Sequence, residues 1–179
     1  MQWKSRTDRY GAVAIAIHWI TALLILVMFV SGLRAANTVD PAAKISLLRA
    51  HAVLGSTVLL LTLARIAWWF FADTKPAPAA SIPRLQERLS KAVHTLFYVV
   101  ILGMAASGFG MVLLSGANLV LFGDAPGPLA DFWNYPPRVP HRIGAVLIFS
   151  LFVLHLGGAL YHQFIRRDHL LARMGVGHS

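Results

Sequence analysis

The chain contains no cysteine. That absence excludes disulfides, thiolate metal sites, iron–sulfur clusters and the CxxCH attachment of c-type haem. Acidic residues are also scarce. Seven Asp and Glu stand against sixteen Lys and Arg, for a formal charge of +9, and charged residues make up only 13% of the 179. With 57% hydrophobic residues and a mean hydropathy of +0.64, the composition is too apolar for a soluble domain and describes an integral membrane protein. The basic excess invites a nucleic-acid reading, but Lys and Arg cluster beside the apolar stretches, where they act as orientation signals and headgroup contacts. Membrane lipid is therefore an expected partner, and nucleic acid is not.

Long hydrophobic runs are what the chain has in abundance. Uncharged or nearly uncharged stretches cover Gly11 to Leu33, Leu47 to Phe71, Ala92 to about Leu114, and Ile143 to Ile165. A hydrocarbon core of about 30 Å needs about 20 helical residues, so each run suffices for one crossing. The basic start from Met1 to Arg9 before the first run superficially resembles a secretory signal. The run is longer than a signal h-region and lacks a small-x-small cleavage site, so it reads as a retained span. The expected fold is all-α: a transmembrane four-helix bundle forming one integral membrane domain over 1–179, with spans at about 11–33, 47–71, 92–114 and 141–165.

The third run continues to Phe122, but Ser115, Gly116 and Asn118 point to a helix end near Leu114. The stretch after it, about 115–140, carries Gly123, Pro126, Gly127, Pro128, Pro136, Pro137 and Pro140, which argue against a regular helix. It reads as a cap with Phe132, Trp133 and Tyr135 at the interface, while a Pro-rich Lys75 to Pro83 segment links the second and third spans. No internal repeat is apparent. Orientation follows from the basic residues. Lys4, Arg6, Arg9, Lys75, Arg84, Arg88, Lys91, Arg166, Arg167 and Arg173 fall on one side, and Arg34, Lys44, Arg49, Arg138 and Arg142 on the other. By the positive-inside rule both termini are cytoplasmic.

Histidine within a span is costly unless paired, wet or ligated. The last span holds His141, His155 and His162, fourteen and seven residues apart. Helix rise places His51 and His141 near the outer ends of their helices, with His18 about 10 Å and His155 about 15 Å in from the cytoplasmic end. These form two level pairs, His51 with His141 and His18 with His155. Fourteen residues advance about 21 Å and return to within about 40° of the same face, so His141 and His155 can serve two heights of one interior. With cysteine absent, haem held non-covalently is the leading candidate. Two bis-imidazole haems would relay electrons and leave no open coordination position. His141, beside Pro140 and Arg142, would also suit a simple interfacial role.

His94 and His162 come out only about 5 Å from the cytoplasmic boundary, too shallow for the deeper haem but suited to hydrogen-bonding a quinone carbonyl and passing it protons. His169 and His178 fall in the tail and read as solvated. Arg65, fourteen residues after His51, can pair with a haem propionate or snorkel toward headgroups near Trp68 and Trp69. The span glycines, such as Gly55, Gly108 and Gly144, admit either a flat macrocycle or close helix packing.

The stretches "AIAIHWI" at Ala14 to Ile20, "RAHAVLG" at Arg49 to Gly55 with Arg65 following, "VHTLFY" at Val93 to Tyr98 and "VLHLGGALYHQFIRRDHLLARM" at Val153 to Met174 resemble the prokaryotic cytochromes b561 across nearly the whole chain. The resemblance implies a di-haem b protein of the bacterial inner membrane that exchanges electrons with the quinone pool. It assigns His18 and His155 to one haem and His51 and His141 to the other. Some members resemble superoxide oxidases, in which superoxide from the periplasm reduces the outer haem and the inner haem reduces ubiquinone. Related subunits, usually longer, serve hydrogenases or formate dehydrogenases, so an electron-relay or anchor role toward a dehydrogenase or a periplasmic redox partner is the alternative. Lys44, Arg49, Arg138 and Arg142 would favour an anionic substrate at the outer side, although Asp124 and Asp131 dilute that field. A histidine-lined metal or proton transporter would need further polar steps within the spans, and these contain no Asp or Glu.

Overall fold

The computed structural model describes residues 2–78, 82–123, 125 and 127–177. Asp124, Pro126, His178 and the Ala79 to Ser81 part of the expected linker lie outside the described residues. All regular elements among the described residues are helical. Helix α1 spans Ala12–Asn37, α2 Pro41–Ala67, α3 Arg84–Leu114, α4 Ala117–Phe122 and α5 Arg138–Leu160. Helices α2 and α5 run on through π-helical turns, Trp68–Ala72 and Tyr161–Arg166. With those turns included, the four long helices have 26, 32, 31 and 29 residues, each apolar and long enough to cross a bilayer.

The helices outrun the apolar stretches because capping, not hydrophobicity, sets where they begin. Helix α2 opens at Pro41, whose missing N–H costs nothing in a first turn, and the Asp40 carboxylate accepts from the Ala43 amide at 2.7 Å. Helix α3 opens at Arg84, and the Pro83 carbonyl accepts from the Glu87 amide. Pro140 likewise sits in the first turn of α5, where no intrahelical bond is lost. The stretch after Leu114 is more regular than its Gly and Pro content suggests. Gly116 takes a left-handed φ of 68°, which ends α3, and the apolar ANLVLF beyond it regains a helix before Gly123.

Packing divides the chain into two compact units. The first comprises Met1–Thr21, Leu61–Tyr98 and Ile148–Ser179, and the second Ala22–Leu60 and Val99–Leu147. The boundaries fall inside the long helices, so each unit takes a segment of every span. Few side chains are buried, and large apolar ones such as Leu23, Leu60, Val146 and Phe164 are exposed along the helices, as a hydrocarbon solvent requires.

The first unit is closed by its termini. Ser5 donates to Asp73 from its amide and, at 2.8 Å, from its hydroxyl, and the Trp68 indole donates to the same carboxylate. Burial works to raise the Asp73 pKa, but the bonds from Ser5, Trp68 and Thr74 outweigh it and hold the carboxyl below its ordinary value. Gly11 permits the tight return of the amino-terminal segment, since a Cβ there would collide with the Trp3 and Lys4 backbone. Arg173 donates to the carbonyls of Asp8 and Ala77, and the Trp19 indole donates to the Met174 carbonyl. In the second unit the Arg49 guanidinium donates to the Leu121 carbonyl at 2.5 Å, tying α2 to α4.

Candidate functional site

Each unit brings one of the level histidine pairs together. In the second, His51 of α2 and His141 of α5 have ring centroids 6.3 Å apart with planes at 67°. In the first, His18 of α1 and His155 of α5 stand 6.1 Å apart at 70°. Two imidazoles on opposite sides of one metal ion, each bonded at about 2 Å, place their centroids about 6 Å apart. A ring pair in direct edge contact spans about 4.5–7 Å, so the separation by itself does not select a metal. The hydrogen bonds on the ring nitrogens are more informative.

Ser31 of α1 donates its hydroxyl proton to the Met28 carbonyl at 3.1 Å, and its oxygen lies 2.9 Å from His51 Nδ1. With that proton committed, the hydroxyl oxygen accepts from His51 Nδ1–H. His141 Nδ1 lies 3.0 Å from the Ser107 hydroxyl and 3.2 Å from the Met104 carbonyl, which can only accept. The Met104 carbonyl places the proton on Nδ1 of His141, and the matching serine contact assigns His51 the same tautomer, in which Nε2 keeps its lone pair for a metal. These two serines were absent from the sequence reading. The signal was a Met-x-x-Ser-Gly pattern that occurs at Met28 to Gly32 and again at Met104 to Gly108.

The first unit differs. Arg65 Nη1 lies 3.3 Å from His18 Nδ1, and because arginine only donates, His18 accepts there and carries its proton on Nε2. Binding a metal through Nε2 requires His18 to give up this bond. Arg65 Nε is buried without a partner, so the guanidinium has donors to offer an anion. The Arg65 side chain thus lies against an intramembrane histidine.

His94 is not set apart from the first pair: its ring packs edge-on against His155 at 5.1 Å, on a helix that begins at Arg84, ahead of the apolar boundary near Ala92. The Ser90 carbonyl accepts from His94 Nδ1 at 2.6 Å. The 5.1 Å separation is about 1 Å short of that for two imidazoles on opposite sides of one metal ion. His162 is engaged elsewhere: its Nδ1 meets Asp168 Oδ2 at 2.6 Å, with both side chains largely buried. Arg167 and His169, at φ 53° and 56°, turn the chain back to deliver that carboxylate. Left-handed backbone at such residues costs about 1–3 kcal/mol each, and Asp168 is the third residue that the sequence did not reveal.

Among the described residues no cluster of three or more His, Cys, Asp or Glu can hold a bare metal ion. Each pair offers two imidazoles, the number that a porphyrin leaves open on iron. Two glycines fit the same purpose: a Cβ at Gly32 would lie 3.2 Å from His51 Cε1, and one at Gly108 would lie 3.4 Å from His141 Cε1. Trp133 carries two of the cations considered for the outer side, with Arg138 and Arg142 at 4.7 and 5.6 Å from its ring.

A family model described as prokaryotic cytochrome b561 matches residues 9–177. The chain is 26% identical to cytochrome b561 homolog 2 of Escherichia coli, covering 97% of this chain and 95% of the relative. It is 28% identical to cytochrome b562 of Cereibacter sphaeroides, covering 92% and 94%. It is also similar to a probable superoxide oxidase, CybB, of Yersinia pestis, at 25% identity covering 93% and 95%.

Proposed function

The chain belongs to the prokaryotic cytochrome b561 family and is a multi-pass electron-transfer protein of the bacterial inner membrane that takes haem b; from that premise we propose that it holds two such haems and moves electrons from superoxide to ubiquinone. The observation that carries the two-haem reading is the pair of imidazole pairs, His51 with His141 and His18 with His155, each inside one unit at 6.3 and 6.1 Å. Haem b held by two imidazoles supplies reversible one-electron storage with no open position for oxygen. Both termini face the cytoplasm in this reading, on the strength of the Lys and Arg asymmetry.

The residues then divide the work. His51 and His141 hold the periplasmic-side haem, and His18 and His155 the cytoplasmic-side one. Arg65, whose buried Nε is unpartnered, would supply guanidinium donors to a propionate of that haem. Two superoxide ions give up one electron each and leave as dioxygen; one quinone takes both electrons and two protons to become quinol. His162 offers the quinone carbonyl its Nε2, with Asp168 holding Nδ1 and fixing the ring's orientation. His94, beside His155, is the second imidazole for that substrate.

An electron relay to a partner protein is the second reading. It is favoured by the outer-side cations: Arg49 is committed to the Leu121 carbonyl, and Arg138 and Arg142 lie over Trp133, which leaves a weaker field for a free anion. The test is a haem assay of the purified protein followed by superoxide addition. Two haems per chain, with reduction of added ubiquinone at the expense of superoxide, is the expected result. Two haems reducible by quinol but inert to superoxide would establish the relay, and a colourless preparation from haem-replete cells would refute both.

A further inference from the structure

The five-residue pattern Met-x-x-Ser-Gly occurs as MFVSG in α1 and as MAASG in α3. In both copies the serine hydroxyl donates to the carbonyl of the methionine three residues earlier, at 3.1 and 3.0 Å. In both, the serine oxygen meets Nδ1 of the histidine on the next long helix, at 2.9 and 3.0 Å. In both, the glycine leaves the room occupied by that ring's Cε1. A serine in an apolar helix often does no more than bond its own preceding carbonyl, and a glycine often serves helix packing alone. Neither role explains why the same pattern should meet the same ring atom twice, once for each member of one histidine pair.

We propose that Ser31 and Ser107 are positioning residues that fix the tautomer and basicity of His51 and His141 and thereby set the potential of the haem they hold. The proposal rests on the ligation reading above. A hydrogen bond accepted from Nδ1–H makes Nε2 a stronger electron donor, which favours ferric over ferrous iron and lowers the midpoint potential. The serine oxygen is a better acceptor because its own proton is already committed to a methionine carbonyl. The two copies are not equivalent. His141 Nδ1 also has the Met104 carbonyl at 3.2 Å, so the loss of Ser107 leaves it an acceptor, whereas the loss of Ser31 removes the acceptor described for His51.

The test is a redox titration of the haem-loaded full-length protein, read by absorbance and by low-spin electron paramagnetic resonance, for wild type, Ser31→Ala, Ser107→Ala, Ser31→Thr and His51→Ala. Ser31→Ala is expected to shift one haem's potential upward and move its g values while the other haem stays unchanged. Ser107→Ala shifts the same haem by less, and Ser31→Thr, which keeps the hydroxyl, returns it toward wild type. Unmoved potential and g values in Ser31→Ala, with one haem lost in His51→Ala, overturn the positioning role and leave the ligation reading intact. Retention of both haems in His51→Ala overturns the ligation reading itself. If Ser31→Ala loses the haem, retention in Ser31→Thr supports the hydroxyl's role, and loss in Ser31→Thr as well assigns the site to packing and overturns the proposal.

Discussion

The two units hold similar pairs of imidazoles in dissimilar surroundings. In the second unit His51 and His141 are held through Nδ1 by neutral serines and a carbonyl. In the first, His18 faces a guanidinium, His155 is crowded by His94 and Phe97, and His162 is bonded to a carboxylate. The buried side-chain atoms without a hydrogen-bond partner among the described residues are Thr21 Oγ1, Arg65 Nε, Gln86 Oε1, Gln163 Oε1 and Asp168 Oδ1, and all five belong to the first unit. An unpartnered polar atom is expensive in an apolar medium. Under the proposed function, the second unit would hold its haem still, and the first would keep polar capacity for propionates, a quinone and protons.

The strongest challenge to that contrast is removal of ligands. His51→Ala or His141→Ala is expected to lose one haem of two, and His18→Ala or His155→Ala the other, as counted by a pyridine haemochrome assay. Loss of both haems from any one of these variants would mean that the sites do not assemble independently. His94→Ala sharpens the comparison from the other direction. Both haems are expected to remain while quinone turnover falls, and a missing haem would make His94 a ligand in place of His18.

Asp168→Asn is expected to lower quinone turnover roughly tenfold, the scale of losing a partner that orients a functional imidazole, with haem content unchanged. Turnover at the wild-type level would remove Asp168 from the proton path. Smallest is the effect of acid on the first unit's closure. The Asp73 carboxyl titrates below its ordinary value, so its contribution to stability is complete above that value and is lost as pH falls through the lowered one. Limited proteolysis of the Ser5 segment should therefore accelerate in that acidic window, and Asp73→Asn should abolish the pH dependence.

Much of this was legible without coordinates. Four spans followed from run length, and level histidines followed from helix rise, because 1.5 Å per residue converts sequence separation directly into depth. The contact of His94 with His155 was not legible in that way, because it depends on how α3 and α5 are placed against each other and not on the length of an apolar run. The Met-x-x-Ser-Gly pattern was present in the sequence, but a serine acquires meaning only when the imidazole it meets is known. Asp168 lay hidden for a related reason: it falls just beyond the last span, and two left-handed residues bring it back.

By itself the sequence determined that the protein is an all-helical membrane protein, and it matched His51 with His141 and His18 with His155. Both are consequences of transfer free energy and helical repeat, which act locally along the chain. Tertiary structure alone decided which polar atom meets each ring nitrogen. Those contacts join residues 20, 34 and 47 positions apart, and they depend on the rotation of one helix against another, which local pattern does not encode.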